Sequence, residues 1–149
     1  ILALVAVAGV SAGAGWYARD AGKKSNDVRA VEHRVARYFA SWSARSMDEY
    51  QDCFHPLATI CFVAPGGNPY TLALKPFIES QREAHRAAAA PMTEVPTRVD
   101  VRIHGDLAQA MVAWRLTKGS AVETGVDCFT LERTAQGWKI ISLVFGKDD

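Results

Sequence analysis

The last third of the chain alternates apolar and polar residues with period two. Four runs carry the alternation: Thr97 to Ile103, Leu107 to Lys118, Val122 to Arg133, and Trp138 to Phe145. Short turn sequences separate them: His104-Gly105-Asp106, Gly119-Ser120 and Ala135-Gln136-Gly137. Successive side chains of a strand point to opposite faces, so these runs predict consecutive antiparallel strands. Val99, Val101 and Ile103 share one face, with Asp100 and Arg102 opposite. Ala108, Ala110, Val112, Trp114 and Leu116 share a face of the next strand, and Asp127 falls in step with Phe129 and Leu131 on the third. The fourth run is apolar on both parities, which predicts cover on both faces or a subunit contact.

Upstream, the period lengthens to three and four. Val28, Val31, Val35, Phe39 and Trp42 form one helical stripe with Tyr38 beside it. Ser25, Asn26 and Asp27 offer N-caps for that helix, after a polar linker at Ala18 to Lys24. Ser46-Met47-Asp48-Glu49 has the form of a capping box and predicts a second helix to about Phe54, stopped by His55-Pro56. Thr59 to Val63 is β-rich, Pro65 to Pro69 is a turn cluster, and Tyr70 to Leu74 completes an expected hairpin. Lys75-Pro76 opens a third helix that Pro91 stops. Helices grouped ahead of consecutive strands predict an α+β fold, with the helices on one face of the sheet.

Ile1 to Ala14 carries no charge. It reads either as a secretory signal ending at the A-x-A-like Ala12-Gly13-Ala14, or as a membrane anchor running to about Ala18 with Trp16 and Tyr17 at the interface. Both readings place the body outside the cytoplasm. The expected division is residues 1–24 as signal or anchor plus linker, and 25–149 as one domain. A net charge of +1 with no basic face argues against nucleic acid as a partner. Three cysteines, Cys53, Cys61 and Cys128, make a poor disulfide framework. Cys53 and Cys61 are able to pair in an oxidising compartment, but buried free thiols are the simpler reading. The sequence shows no metal-ligand spacing, P-loop, dinucleotide fingerprint or nucleophile motif, so neither metal nor cofactor is expected.

From Val28 to Phe145 the chain resembles the nuclear transport factor 2-like (NTF2-like) superfamily. The residues that carry the resemblance are Ala36-Arg37-Tyr38-Phe39, Met47-Asp48-Glu49-Tyr50, Ala64-Pro65-Gly66-Gly67, Phe129-Thr130-Leu131-Glu132 and Gly137-Trp138-Lys139-Ile140. The resemblance implies a cone: a curved antiparallel sheet wrapped around three helices. The last segment is also similar to the lumazine-binding-like branch. Ala36-Arg37-Tyr38 is similar to the helix-one segment of ketosteroid isomerases, in which the matching tyrosine donates into an oxyanion hole. Two departures stand against that chemistry. The position matching the general base is Ala64, before Pro65. Asp127 lies about two residues from the matching acid, with Phe129 nearer that place.

Asp127 is the informative residue, because its parity sets a carboxyl among apolar neighbours. A desolvated carboxyl either finds a partner or raises its pKa. The leading expectation is an exported or membrane-anchored, non-catalytic domain. Its cone would hold a small apolar or aromatic molecule, lined by Tyr38, Trp42, Phe62, Trp114, Asp127 and Phe129. The enzyme alternative is an acid–base isomerase, cyclase or dehydratase using Asp127 and Tyr38, with His55 as a further candidate base. The third reading is a dimerisation module, a homodimer joined through the outer sheet face at Met111, Ala113, Cys128, Ile141, Leu143 and Phe145. His33, His85 and His104 read as helix-surface or turn residues.

Overall fold

A computed structural model describes residues 12–148. Its elements are α1 (Ala12–Ser43), α2 (Met47–Asp52), β1 (Phe54–Val63), β2 (Tyr70–Ala73), α3 (Leu74–Ala87), β3 (Met92–His104), β4 (Leu107–Lys118), β5 (Ala121–Thr134) and β6 (Gly137–Lys147). One six-stranded sheet runs in the order β2-β1-β6-β5-β4-β3. Its pairings are antiparallel except that β1 runs parallel to β6. The α+β architecture is the one the sequence predicts, with that parallel pair added. It joins the early hairpin to the last strand and makes one continuous sheet of the two.

The apolar stripe of α1 packs on the sheet's inner face, where Val31, Val35, Phe39 and Trp42 are buried. Across from them lie Ala108, Ala110, Val112, Trp114 and Leu116 of β4, with Phe129 and Leu131 of β5. Each large side chain so buried contributes about 1.5–3 kcal/mol. Gly105 carries the tight β3–β4 turn at φ 60°, a conformation that glycine adopts at little steric cost.

Several local expectations are corrected. Ala18 to Lys24 is not a linker: it continues α1, so Ser25, Asn26 and Asp27 lie within the helix rather than at its N-terminus. Ser46 precedes α2 without a side-chain cap bond. The second helix ends at Asp52, because β1 starts at Phe54 and takes His55 and Pro56 into the strand. The third helix stops at Ala87, before Pro91, where Ala88 turns extended. Ile1 to Ser11, most of the expected signal or anchor, lies outside the described residues. Among the described residues, no helix is long and apolar enough to cross a membrane.

Two bulges set which side chains face inward. In β3 the register slips at Thr97, between Pro96 opposite Trp114 and Arg98 opposite Ala113. The inward set is therefore Met92, Glu94 and Pro96, then Val99, Val101 and Ile103. β3 is an edge strand, where a proline costs least. In β6 the slip falls at Ile141, with Ile140 opposite Leu131 and Ser142 opposite Thr130. A one-residue insertion switches the parity that faces the core. Trp138 and Ile140 point inward before the bulge, and Leu143 and Phe145 after it. This explains why the strand is apolar on both parities without cover on both faces. Leu143 is 1% exposed, and Phe145 points inward, so neither is an outer-face contact.

The outer face carries Met111, Cys128 and Val144, cross-strand neighbours in one row. All three cysteines are free: Cys53 is buried, Cys61 half-buried, and Cys128 exposed rather than buried.

Candidate functional site

Between α1, α3 and the inner face of β3 to β6 lies a cavity of about 180 Å³. Tyr38 and Trp42 reach it from α1, Tyr50 from α2, Gln81 from α3, Glu94 from β3, Trp114 and Lys118 from β4, Asp127 from β5, and Phe145 and Lys147 from β6. Helical spacing sets Tyr38 and Trp42 one turn apart on the face of α1 that meets the sheet.

Asp127 is 3% exposed. Burial, and then the negative charge of Glu94, raise its carboxyl far above the usual carboxylate range. Trp114 Nε1 and the Tyr38 hydroxyl lie close enough to pull it part of the way back. Burial outweighs both, so the net effect favours the protonated form of the carboxyl. Trp114 Nε1 is itself buried and completes no hydrogen bond of ordinary geometry. A buried N–H without a partner costs about 1–3 kcal/mol. The indole lies flat on β5 because its cross-strand partner is Gly125. A methyl there would sit 2.3 Å from Trp114 Cζ2 and 2.2 Å from the Gly146 carbonyl oxygen.

Tyr38 stands edge-on to Phe129, with ring centroids 5.0 Å apart, and 4.8 Å from Tyr50. Both hydroxyls are pushed up, first by burial. Trp42 is held by its Nε1 donating to Gln81 Oε1 at 2.9 Å, and its ring lies 4.3 Å from His85. His85 is buried rather than on the helix surface, and burial lowers its pKa.

Glu94 is the site residue that sequence reasoning missed. Its carboxyl is raised to about 7, first by desolvation; Lys118 and Lys147 lower it and Glu123 raises it. Both lysines are engaged by Glu123, Lys118 at 2.9 Å and Lys147 in close contact. The backbone of Glu94 is pinned to the end of α1. Its N–H donates to Ser43 Oγ at 2.9 Å, and its carbonyl accepts from the same hydroxyl at 3.0 Å. Alternation through Met92, Glu94 and Pro96 was the available signal, but Pro91 and Pro96 interrupt the strand pattern.

The structure brings together Tyr38, Trp42, Trp114 and Asp127, and leaves out three expected residues. Phe62 packs on Phe145 and Tyr70, beside a separate void of about 30 Å³. Phe129 is buried behind Tyr38 and does not line the cavity. His55 sits on a larger, open groove of about 870 Å³. There its Nε2 lies 3.5 Å from Glu132, and its Nδ1 accepts from the Leu57 N–H at 3.1 Å. Being in the strand rather than ending a helix, His55 shares no cavity with Asp127. That groove holds more volume, but its mouth is wide and its Asp52 and Lys139 are already paired at 2.8 Å. The inner cavity, by contrast, holds the buried Asp127 carboxyl and the Trp114 Nε1 that completes no ordinary hydrogen bond. Among the described residues no cluster suits a metal ion.

Residues 26–146 match the family described as "Putative lumazine-binding". The chain belongs to this family. Solved structures agree on the NTF2-like fold. An NTF2-like protein with a cystatin-like fold from Novosphingobium aromaticivorans aligns with a TM-score of 0.75 at 16% identity, over 95% of this chain and 93% of the other. A protein of unknown function from Mycobacterium tuberculosis aligns at 0.73 and 15% identity, over 86% and 75%. An NTF2-like family member from Streptomyces avermitilis, described as a "putative dehydratase", aligns at 0.71 and 15%, over 84% and 98%. At these identities the likeness is one of fold. No curated protein matches the sequence.

Proposed function

We propose that this domain binds a small uncharged molecule, about one ring in size, in the inner cavity. One observation carries the reading: two buried polar groups on neighbouring strands, the Asp127 carboxyl, whose pKa burial raises, and Trp114 Nε1, which completes no hydrogen bond of ordinary geometry, belong to residues lining one cavity. The indole N–H donates, and the raised pKa of Asp127 favours its donating form, so the ligand that suits them presents an acceptor such as a carbonyl oxygen or ring nitrogen. Tyr38, Trp42 and Phe145 supply flat apolar walls. The volume sets the size. An apolar cavity of about 150 Å³ holds benzene, whereas drug-sized ligands occupy about 300–1,000 Å³. At about 180 Å³ the cavity takes one ring, and a two-ring pteridine would project from the mouth. A steroid does not fit. The family's name supports a heterocyclic ligand without specifying it.

Thermal denaturation with a panel of one- and two-ring carbonyl and heterocyclic compounds, lumazine among them, tests the proposal. A ligand at a hundred times its Kd stabilises by about 2.7 kcal/mol, roughly 5–10 °C for a chain of this size. Trp114→Phe, which keeps a ring and removes the donor, is expected to weaken that shift. If no compound in the panel shifts the wild-type melting temperature, the proposal falls.

The residue pattern alone favours a non-catalytic domain. The acid–base alternative draws support from a different observation: Glu94, a carboxyl poised near pH 7, shares the cavity with a carboxylic acid. The proposal also keeps two further expectations. One is export or anchoring by residues 1–24, checked by cell fractionation. The other is a homodimer through the outer sheet face, where the expected contacts Met111 and Cys128 are exposed, checked by mass in solution.

A further inference from the structure

We propose that Glu94 is the proton acceptor of a carbon-acid reaction in this cavity, taking a proton from the carbon beside a carbonyl whose oxygen is held by Asp127 and Trp114. The inference rests on the binding reading above and adds chemistry to it. Its basis is placement on the sheet. On the inner face Asp127 pairs with Val112 and Glu94 pairs with Leu116, so the two carboxyls flank Trp114 on either side along β4. A ring resting on the indole meets an acid at one edge and a base at the other. Glu94 shares the inward parity of Met92 and Pro96, the slip at Thr97 lets that parity coexist with Val99, Val101 and Ile103 on the same face, and Ser43 fixes the backbone.

The electrostatics divide the two roles. Burial and the charge of Glu94 raise the Asp127 carboxyl and favour its protonated, donating form. Glu94 ionises near neutrality, where a general base works best. The titratable and charged groups around Glu94 are Tyr38, Tyr50, Lys118, Glu123, Asp127 and Lys147. Lys118 and Lys147 are bound to Glu123, so Glu94 has no dedicated cation partner and remains free to exchange a proton.

The step balances without a cofactor. The C–H bond breaks and its proton goes to a Glu94 oxygen. The C–H electron pair forms a carbon–carbon double bond, and the carbonyl π pair moves to oxygen, which accepts hydrogen bonds from Asp127 and Trp114. Once the proton on Glu94 has exchanged with solvent, delivery of a solvent-derived hydrogen to the same carbon completes the exchange. Return to the far end of a conjugated system gives an isomer. The substrate class is a one-ring ketone or unsaturated ketone.

The test uses the full chain in heavy water with cyclohexanone, cyclohex-2-enone and cyclohex-3-enone. Proton NMR follows deuterium uptake beside the carbonyl and conversion of the last compound to its conjugated isomer. Ketone binding is read in parallel from melting-temperature shifts. The expected result is catalysed exchange that rises with pH through about 7. It falls at least about 100-fold in Glu94→Gln, the usual scale for losing a general base. Ketone-induced stabilisation persists in that variant, which shows that it is folded. Glu94→Asp keeps a carboxylate and is expected to retain part of the rate. Exchange undiminished in Glu94→Gln overturns the inference. Binding of ketones without exchange, or binding of other ring compounds but not ketones, overturns it and leaves the binding function standing. Failure of every compound to bind removes both.

Discussion

Replacing Glu94 by Gln has a consequence for stability that needs no ligand. In the folded protein this carboxyl titrates at about 7, against 4.5 in a free chain. Between those values the folded state holds a proton that the unfolded state has lost. Stability therefore falls as pH rises through this window, and none of it is lost below about 4.5. A tenfold change in proton affinity between the two states corresponds to about 1.36 kcal/mol, so the rise from 4.5 to about 7 costs about 3 kcal/mol once Glu94 is fully ionised. Glutamine keeps the shape and carries no charge. Glu94→Gln is thus expected to gain stability relative to wild type as pH rises from 4 to 8, by about 3 kcal/mol in total, with most of the change between 4.5 and 7. Urea unfolding of both proteins at a series of pH values measures this. Taking the difference cancels every titration the two share. Parallel stability curves would refute the claim that Glu94 is desolvated in the cavity wall.

Three further outcomes follow from the same geometry. Asp127→Asn removes a carboxyl whose pKa folding raises, so its melting temperature should exceed the wild-type value at pH 8, with the gap closing toward pH 4; a lower value at pH 8 would show that the carboxyl is ionised and paired. Gly125→Ala drives a methyl into Trp114 and the Gly146 carbonyl, and should cost about 1–3 kcal/mol with a shift in tryptophan fluorescence; unchanged stability would mean the indole does not lie on that glycine. Met111→Asp, at a position 59% exposed, should leave the monomer's stability within about 0.5 kcal/mol and lower the mass observed by light scattering if the outer face joins two copies; an unchanged dimer mass would place the interface elsewhere.

The sequence by itself determined the layers. Period two in β4 and β5, and periods of three and four in α1, name which residues are buried, because burial selects apolar side chains at the spacing each element imposes. Tyr38, Trp42, Trp114 and Asp127 were legible on those grounds, each lying in an unbroken periodic run. Tertiary structure decided the rest. Two register slips, at Thr97 and Ile141, reverse the face that points inward. They let Glu94 share the inner face with Val99, Val101 and Ile103 and bring Leu143 into the core, and no local pattern counts an extra residue in a strand. The parallel pairing of β1 with β6 extends a strand through His55 and Pro56, and so carries His55 to a different groove from Asp127. How far each of the two carboxyls is raised depends on water excluded by residues distant in the chain, and that is a property of the packed cavity.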